Sequence, residues 1–170
     1  YCIDMEWINK NPFRNVKAPK KRGSDERFYF TPKQVELIMS KSGKFHDFYY
    51  LLLHTGIRST DAYKLKPEHF EDNYLKVKMN KTGDFLHVPM PYHVLEVLRP
   101  RMADSTLFPL LKSDRQRRNC VKNMQRLFEP EFVRENYINL HTFRHTYAHT
   151  MLNKGVPKEV LQTLLGHRSI

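Results

Sequence analysis

The chain has 170 residues, of which 29 are lysine or arginine and 18 are aspartate or glutamate, so its formal net charge at pH 7 is +11. This length suffices for one domain with a buried core, two cysteines are too few for a disulfide framework, and no apolar run is long enough to span a bilayer. The composition therefore indicates an intracellular protein, and the charge favours a nucleic-acid partner over an anionic membrane surface.

The first 27 residues differ in character from the rest of the chain. They begin like the end of a helix, "NPF" stops that helix, and the stretch "APKKRGSDER" follows. Proline, glycine and clustered positive charge are typical of a linker. We expect residues 1–27 to be the end of an upstream domain plus a basic linker, and residues 28–170 to form a separate domain.

Helix signals dominate the next third of the chain. Thr31 is a predicted N-cap that forms a capping box with Gln34, and Gly43 is placed to follow the helix end. The apolar stretch "FHDFYYLLLHTG" predicts a second, buried helix that ends at Gly56. "IRSTDAYKL" then predicts a short helix that stops before Pro67.

The period of the sequence changes at "NYLKVKMNKTGDFLHVPM". Leu75, Val77 and Met79 alternate with polar residues, "NKTG" is a turn signal, and a second short strand follows. This pattern predicts a β-hairpin with Lys81 at or near its tip. Four further helices are predicted from "YHVLEVLRP", "SDRQRRNCVKNMQRLF", "TFRHTYAHTMLNKG" and "VPKEVLQTLLG". The predicted fold class is mainly α with a small antiparallel β-sheet (α+β).

One predicted helix carries histidines at four-residue intervals, His141, His145 and His149, which raises the question of a metal site. A helical wheel places His149 away from His141, so a three-histidine metal site is excluded and no metal or other cofactor is predicted. His149 is predicted to be a surface histidine. His145 is expected to orient a neighbour rather than to bind a metal.

The same helical wheel divides the helix into a core-facing side and a solvent-facing side. The core-facing side carries Arg144 together with apolar residues, namely Phe143, Tyr147, Ala148, Met151 and Leu152. The solvent-facing side carries Thr142, Thr146, Thr150 and Asn153. A guanidinium turned toward a core needs an anionic partner, and the helix alone leaves two open: an internal carboxylate or a bound phosphate.

Three other cations occupy special positions. Arg58 follows a buried helix and a glycine, Lys81 is lifted on the hairpin, and His167 comes directly after Gly166 at a helix end. Each also has an ordinary interpretation, as a surface charge, a solvated turn lysine and a cation near a helix C-terminus.

Taken together, four segments resemble the catalytic domain of the tyrosine recombinase (phage integrase) family. "HTGIRSTDAYKL", the hairpin "NKTG", "HTFRHTYAH" and "LLGHRSI" occur in that family's order and approximate spacing, and the resemblance covers nearly the whole chain. The opening "WINKNPFRNVK" resembles the end of the family's upstream core-binding domain and its linker. The resemblance implies a tyrosine recombinase catalytic-domain fold, a double-stranded DNA partner, and a bacterial or phage-encoded protein that is cytoplasmic and nucleoid-associated.

The resemblance also implies roles for individual residues. Arg58 and Arg144 would bind the scissile phosphate, and Lys81 would be the general acid for the departing 5′ oxygen. His141 would contact the phosphate and take part in proton transfer, and His167 would donate a hydrogen bond to the phosphate. Two residues would support this site, Asp61 and His145.

The family's nucleophile is a tyrosine several residues beyond the "LLGH" histidine, and the sequence ends at Ile170, before that position. Neither Tyr137 nor Tyr147 matches it. We therefore expect the segment with the nucleophile to be absent from these residues and the fragment alone to be inactive. The alternative is a noncatalytic DNA-binding module of the same fold that regulates recombination. When full length, the protein is expected to assemble with other copies of itself.

Two basic stretches are predicted to contact the DNA backbone without reading bases. They are the linker run and the run "KSDRQRRNCVK", and the predicted contacts are Lys20, Lys21, Arg22, Lys112, Arg115, Arg117, Arg118 and Lys122.

Overall fold

The computed structural model describes residues 27–78 and 83–166. The helices in these ranges are α1 (Pro32–Lys41), α2 (His46–Thr55), α3 (Ser59–Ala62), α4 (Tyr92–Leu98), α5 (Asp114–Gln125), α6 (Pro130–Glu135), α7 (His141–Asn153) and α8 (Lys158–Leu164). The strands are β1 (Phe70–Glu71), β2 (Tyr74–Lys78) and β3 (Phe85–Pro89). The predicted α+β class, mainly helical with a small antiparallel sheet, is confirmed. No helix in the described ranges is long and apolar enough to cross a membrane.

The sheet has the order β1-β2-β3, and both pairs are antiparallel. Leu75 pairs with Val88 and Val77 pairs with Leu86, and all four of these side chains are buried. Alternation along β2 and β3 thus places one face of the hairpin on the core, as the sequence pattern predicts. Residues 79–82 between these strands, which include Lys81, lie outside the described residues. The two-residue strand β1 was not predicted.

The predicted ends of the first two helices are confirmed. Thr31 N–H donates to Gln34 Oε1 (2.9 Å) and Gln34 N–H donates to Thr31 Oγ1 (3.4 Å), which completes the capping box of α1. Gly43 follows the end of α1 with φ +52°, and Gly56 follows α2 with φ +63°. Both values lie in the left-handed region that favours glycine at helix ends.

Helix α2 lies at the centre of the core and packs against α7. The ring of Tyr49 on α2 stacks on Phe143 of α7 with 5.2 Å between centroids, and each of these residues is 0% exposed. The Tyr49 hydroxyl donates to the Cys120 carbonyl of α5 at 2.5 Å. These contacts fix α7, which carries most of the candidate site, against the rest of the fold.

The prediction of which α7 residues face solvent is partly wrong. Thr142 and Thr146 are 3% and 4% exposed, whereas Leu152, predicted to face the core, is 47% exposed. The reason is the segment that precedes α1: Phe30 N–H donates to Thr146 Oγ1 at 2.9 Å, and this hydroxyl donates to the Thr142 carbonyl at 2.9 Å. A chain segment 116 residues away therefore covers a face that the helical pattern assigns to solvent.

We expect Thr146→Val to lower the free energy of unfolding by about 1–3 kcal/mol, because it leaves the buried Phe30 N–H without an acceptor in a side chain of nearly unchanged shape. Urea denaturation of the purified chain measures this change. Thr150→Val, one turn further along at an exposed position, is the matched control and should change stability by less than about 0.5 kcal/mol. Equal effects of the two substitutions would show that the Phe30–Thr146 bond contributes little.

Candidate functional site

Arg144 is buried in the second turn of α7, with 4% of its surface exposed, as the helical wheel predicted for a core-facing side chain. Its Nη1 donates to the Gly56 carbonyl (2.9 Å) and its Nη2 donates to the Leu165 carbonyl (2.5 Å). These oxygens lie at the C-terminal ends of α2 and α8, where carbonyls lack helical partners and the helix dipole is negative. The Arg144 guanidinium thereby connects α7 to the C-terminal ends of α2 and α8.

Arg58 approaches the same place from the chain that follows α2. Its Nη2 donates to the Gly166 carbonyl at 3.5 Å, one residue beyond the carbonyl that Arg144 binds. Burial, and next the charge of Arg58, lower the pKa of Arg144 to about 10. Two guanidinium groups are therefore held side by side at the C-terminal end of α8, close enough for each to influence the other.

Asp61 on α3 is 3% exposed and belongs to the same group. Its negative charge acts against the lowering of the Arg144 pKa, so the carboxylate is near enough to offset part of the repulsion between the two arginines. The sequence left open whether Arg144 binds an internal carboxylate or a phosphate. Its two hydrogen bonds above go to backbone carbonyls, and an arginine has five N–H donors, so the group retains donors for a further acceptor.

His141 and His145 lie in the first two turns of α7, on either side of Arg144 in the sequence; His141 is exposed and His145 is half-buried. The backbone N–H of His141, the first residue of the helix, donates to Asn139 Oδ1 at 2.7 Å. The two imidazole centroids are 4.6 Å apart and the rings are nearly perpendicular, at 89°. Sequence reasoning missed Asn139, although an asparagine just before a helix is a recognisable capping signal. This residue fixes the start of α7 and with it the position of His141.

His145 is held neutral by its surroundings. Burial is the largest cause, and the charges of His141, Arg27 and Arg144 add to it, so that the pKa of His145 falls from its ordinary 6.5 to about 4. At neutral pH this ring can orient His141 without adding a further positive charge to the cluster. The supporting role of His145 stays a prediction.

The lowered pKa of His145 predicts a loss of stability in acid. Between pH 6.5 and 4 the unfolded chain protonates this histidine while the folded chain does not, so the stability falls as the pH drops through that window. We expect His145→Gln to reduce the fall in unfolding free energy between these two pH values, measured by urea titration at each. His87→Gln, at an exposed position on β3, is the control. An unchanged pH dependence in His145→Gln would contradict the assignment.

The basic run on α5 separates into two kinds of side chain. Arg117 donates to the Leu111 carbonyl, the Asp114 carboxylate and the Lys112 carbonyl, each at 2.9 Å, and its guanidinium lies 4.9 Å from the centroid of the Tyr63 ring. Arg117 therefore ties α5 to its neighbours, and its proposed contact with the DNA backbone stays a prediction.

The exposed cations of this region form a stripe. Those on or directly after α5 follow the three- and four-residue spacing of one helix face, and Lys112 precedes the helix. We call this set the α5 basic stripe, and it consists of Lys112, Arg115, Arg118, Lys122 and Arg126. Arg126 was missed by the sequence prediction.

Five predicted site residues lie outside the described residues. They are the hairpin lysine, the histidine after α8 and the three linker cations, namely Lys81, His167, Lys20, Lys21 and Arg22.

The two tyrosines near the site occupy unlike positions. Tyr147 is 8% exposed, and burial raises the pKa of its hydroxyl. Its ring packs against Gly56 and belongs to a buried apolar cluster with Leu161 and Leu165. Tyr137 is 55% exposed and precedes α7. A buried hydroxyl with a raised pKa is a poor nucleophile, so burial disfavours that role for Tyr147.

The comparisons with known proteins agree with this arrangement. The phage integrase family matches residues 29–170. Tyrosine recombinase XerA of Pyrococcus furiosus is 31% identical over 180 residues, covering 98% of this chain and 62% of that protein. Tyrosine recombinase XerC of Lacticaseibacillus casei is 24% identical over 191 residues, covering 100% of this chain and 64% of that protein. This chain thus spans less than two thirds of the length of these curated relatives.

Solved structures show the same fold at lower sequence identity. A crystal structure of a lambda integrase tetramer bound to a Holliday junction superposes with a TM-score of 0.72, at 20% identity, over 99% of this chain and 54% of that one. The buried arginine on α7, its partner after α2 and the small antiparallel sheet thus occur in a fold shared with an integrase. The chain belongs to the phage integrase family.

Proposed function

We propose that this chain is the catalytic domain of a site-specific DNA recombinase, which cuts and rejoins DNA by metal-free transesterification through a 3′-phosphotyrosine intermediate. The observation that carries the proposal is the convergence of Arg58 and Arg144 at the end of α8. Two like charges held together in a partly buried place repel one another, and an anion bound between them relieves that repulsion.

A DNA phosphate suits this pair of guanidinium groups. The phosphoryl transition state accumulates negative charge on its nonbridging oxygens, and donors fixed before the reaction stabilise that charge where it develops. Arginine offers a planar fork that meets two oxygens at once. The carbonyls of Gly56 and Leu165 hold the Arg144 fork in place, so little reorganisation is needed when the phosphate arrives.

The other proposed roles complete a balanced reaction. A tyrosine hydroxyl from outside residues 1–170 attacks the phosphorus, a new phosphorus–oxygen bond forms, and the bond to the 5′ oxygen breaks. Lys81 donates a proton to that departing oxygen, and His141 accepts the proton that the tyrosine hydroxyl releases. His141 and His167 also contact the phosphate. Asp61 and His145 position these groups. The attack of another 5′ hydroxyl on the phosphotyrosine reverses the step and rejoins the DNA.

The partners follow from the same proposal. Lambda integrase has been crystallised as a dimer bound to a core site and as a tetramer bound to a Holliday junction. We propose that the full-length protein likewise assembles on double-stranded DNA with other copies of itself, in the cytoplasm of a bacterium. The α5 basic stripe and the linker cations Lys20, Lys21 and Arg22 would contact the DNA backbone.

Trapping a covalent intermediate tests this proposal. A version of the protein that includes the nucleophile is incubated with a nicked suicide substrate, in which the cleaved fragment diffuses away and rejoining is blocked. We expect a protein–DNA adduct that survives denaturing electrophoresis and whose linked peptide contains a phosphotyrosine. Intact DNA binding without any adduct on the cognate site would favour the noncatalytic DNA-binding module instead.

A further inference from the structure

Two histidines from different helices meet on a surface distinct from the candidate site. His54 lies in the last turn of α2 and His93 in the first turn of α4. Nδ1 of His54 and Nε2 of His93 are 3.3 Å apart, and the ring centroids are 4.8 Å apart at an interplanar angle of 78°. The side chain of Tyr50 lies beside both rings, with its centroid 4.3 Å from that of His54 and 6.0 Å from that of His93.

The separation of the two nitrogens equals the edge of a zinc coordination tetrahedron. With zinc–nitrogen bonds of about 2.0–2.1 Å and tetrahedral angles, two imidazole nitrogens on one ion lie about 3.3–3.4 Å apart. Nitrogens at a right angle on a square-planar ion would lie closer, at about 2.9 Å. The observed 3.3 Å therefore matches a tetrahedral ion better than a square-planar one.

We propose that His54 and His93 form a binding site for a tetrahedral divalent transition-metal ion of the zinc class. Each neutral imidazole would bind the ion through the nitrogen that now faces the other ring and would carry its proton on its other nitrogen. Within the described residues, no group of three or more histidine, cysteine, aspartate or glutamate side chains can hold a metal. Water molecules would therefore fill the remaining positions, and the site would be reversible rather than a permanent structural centre.

An ion bound by His54 and His93 would affect the candidate site. His54 precedes Gly56 by two residues, and the Gly56 carbonyl holds Arg144. An ion between α2 and α4 would restrain the end of α2, where Gly56 and Arg58 begin the arginine pair. The Lys154 ammonium is close enough to His54 to oppose a positive charge there, so Lys154→Gln should tighten metal binding.

Thermal unfolding with and without Zn²⁺ tests the proposal on the 170-residue chain. At a zinc concentration ten times the dissociation constant, mass action should raise Tm by about 2–5 °C. The rise should disappear in His93→Gln, an exposed position at which the substitution does not threaten folding, and in His54→Gln.

Two variants of histidines outside the pair serve as controls. His145→Gln removes the neighbouring imidazole of the His141–His145 pair, and His87→Gln removes an isolated surface histidine; both variants should keep the full rise. Bound Co²⁺ should show the intense visible absorption of tetrahedral coordination, and this band should be lost in His93→Gln. Absence of a Tm rise in the unmodified chain, its retention in His93→Gln, or only weak octahedral Co²⁺ absorption would overturn the proposal.

Discussion

Replacing Arg144 with alanine, in a version of the protein that carries the nucleophile, should reduce strand cleavage by about 10³-fold or more while leaving most of the DNA affinity. The guanidinium is proposed to bind the phosphate at the point of reaction, where loss of one preorganised donor typically costs about 10²–10³-fold and loss of a charged fork costs more. DNA affinity is instead proposed to depend on many backbone contacts spread along the α5 basic stripe. Single-turnover cleavage and gel-shift titration measure the two quantities on the same DNA.

A structural role of Arg144 must be separated from its chemical role. Alanine leaves the Gly56 and Leu165 carbonyls without their donor, so a drop of about 1–3 kcal/mol in unfolding free energy accompanies the substitution. Arg144→Lys keeps the charge but loses the fork, and should cleave at a rate between those of the unmodified protein and the alanine variant. Equal losses of cleavage and binding, together with an unfolded circular-dichroism spectrum, would show that Arg144 acts only in holding the fold.

Gly56→Ala should destabilise the protein by about 2–4 kcal/mol, through two effects. Residue 56 has φ +63°, a conformation that costs an L-residue about 1–2 kcal/mol. A Cβ at this position would also overlap Cδ1 of Tyr147 and come within 2.9 Å of Leu165 Cδ2, which adds the cost of overpacking, about 1–3 kcal/mol. Thermal unfolding measures the loss.

Gly43→Ala is the matched control for that substitution. Gly43 follows α1 with φ +52°, and a Cβ there would meet nothing within 4 Å, so only the backbone cost of about 1–2 kcal/mol is expected. If both alanines lowered Tm equally, the packing of Tyr147 and Leu165 against Gly56 would not constrain the site. Because the Gly56 carbonyl holds Arg144, the Gly56 variant should also slow cleavage, whereas the Gly43 variant should not.

Local signals in the sequence were enough to predict most of the fold. The capping box of Thr31 and Gln34 and the glycine after α2 act within a few residues, so the sequence alone specifies them. Alternation of Leu75 and Val77 specified the buried face of the hairpin. Two short elements, β1 with two residues and α6 with six, were not predicted, because neither is long enough for a period to show. The four-residue α3 was predicted from the glycine before it and the proline after it.

Contacts between distant segments account for what the sequence could not predict in α7. The burial of Thr146 depends on Phe30, and the pattern within the helix contains no information about that segment. In contrast, Arg144 was correctly placed on the core-facing side because its apolar neighbours define that side locally. The sequence did not indicate that backbone carbonyls at the ends of α2 and α8 would bind it, since their meeting is a tertiary event.

The basic run shows the same limit at the surface. Composition treats Arg115 and Arg117 alike, yet Arg115 is exposed whereas Arg117 is hydrogen-bonded to the chain around it. The difference arises from the Leu111 and Lys112 carbonyls and from Asp114, which the turn before α5 brings within reach. Counting charges in the sequence therefore predicts a DNA-binding surface, but it does not predict which of the basic side chains are exposed.

A double-variant cycle on the two arginines tests the central claim most directly. Arg58→Lys, Arg144→Lys and the double variant are compared with the unmodified arginines by single-turnover cleavage, again in a version with the nucleophile. If both guanidinium groups bind one phosphate, they act as a unit, and the double variant should lose much less than the product of the two single losses. Losses that multiply would contradict the account, because they would mean that Arg58 and Arg144 act on the reaction independently.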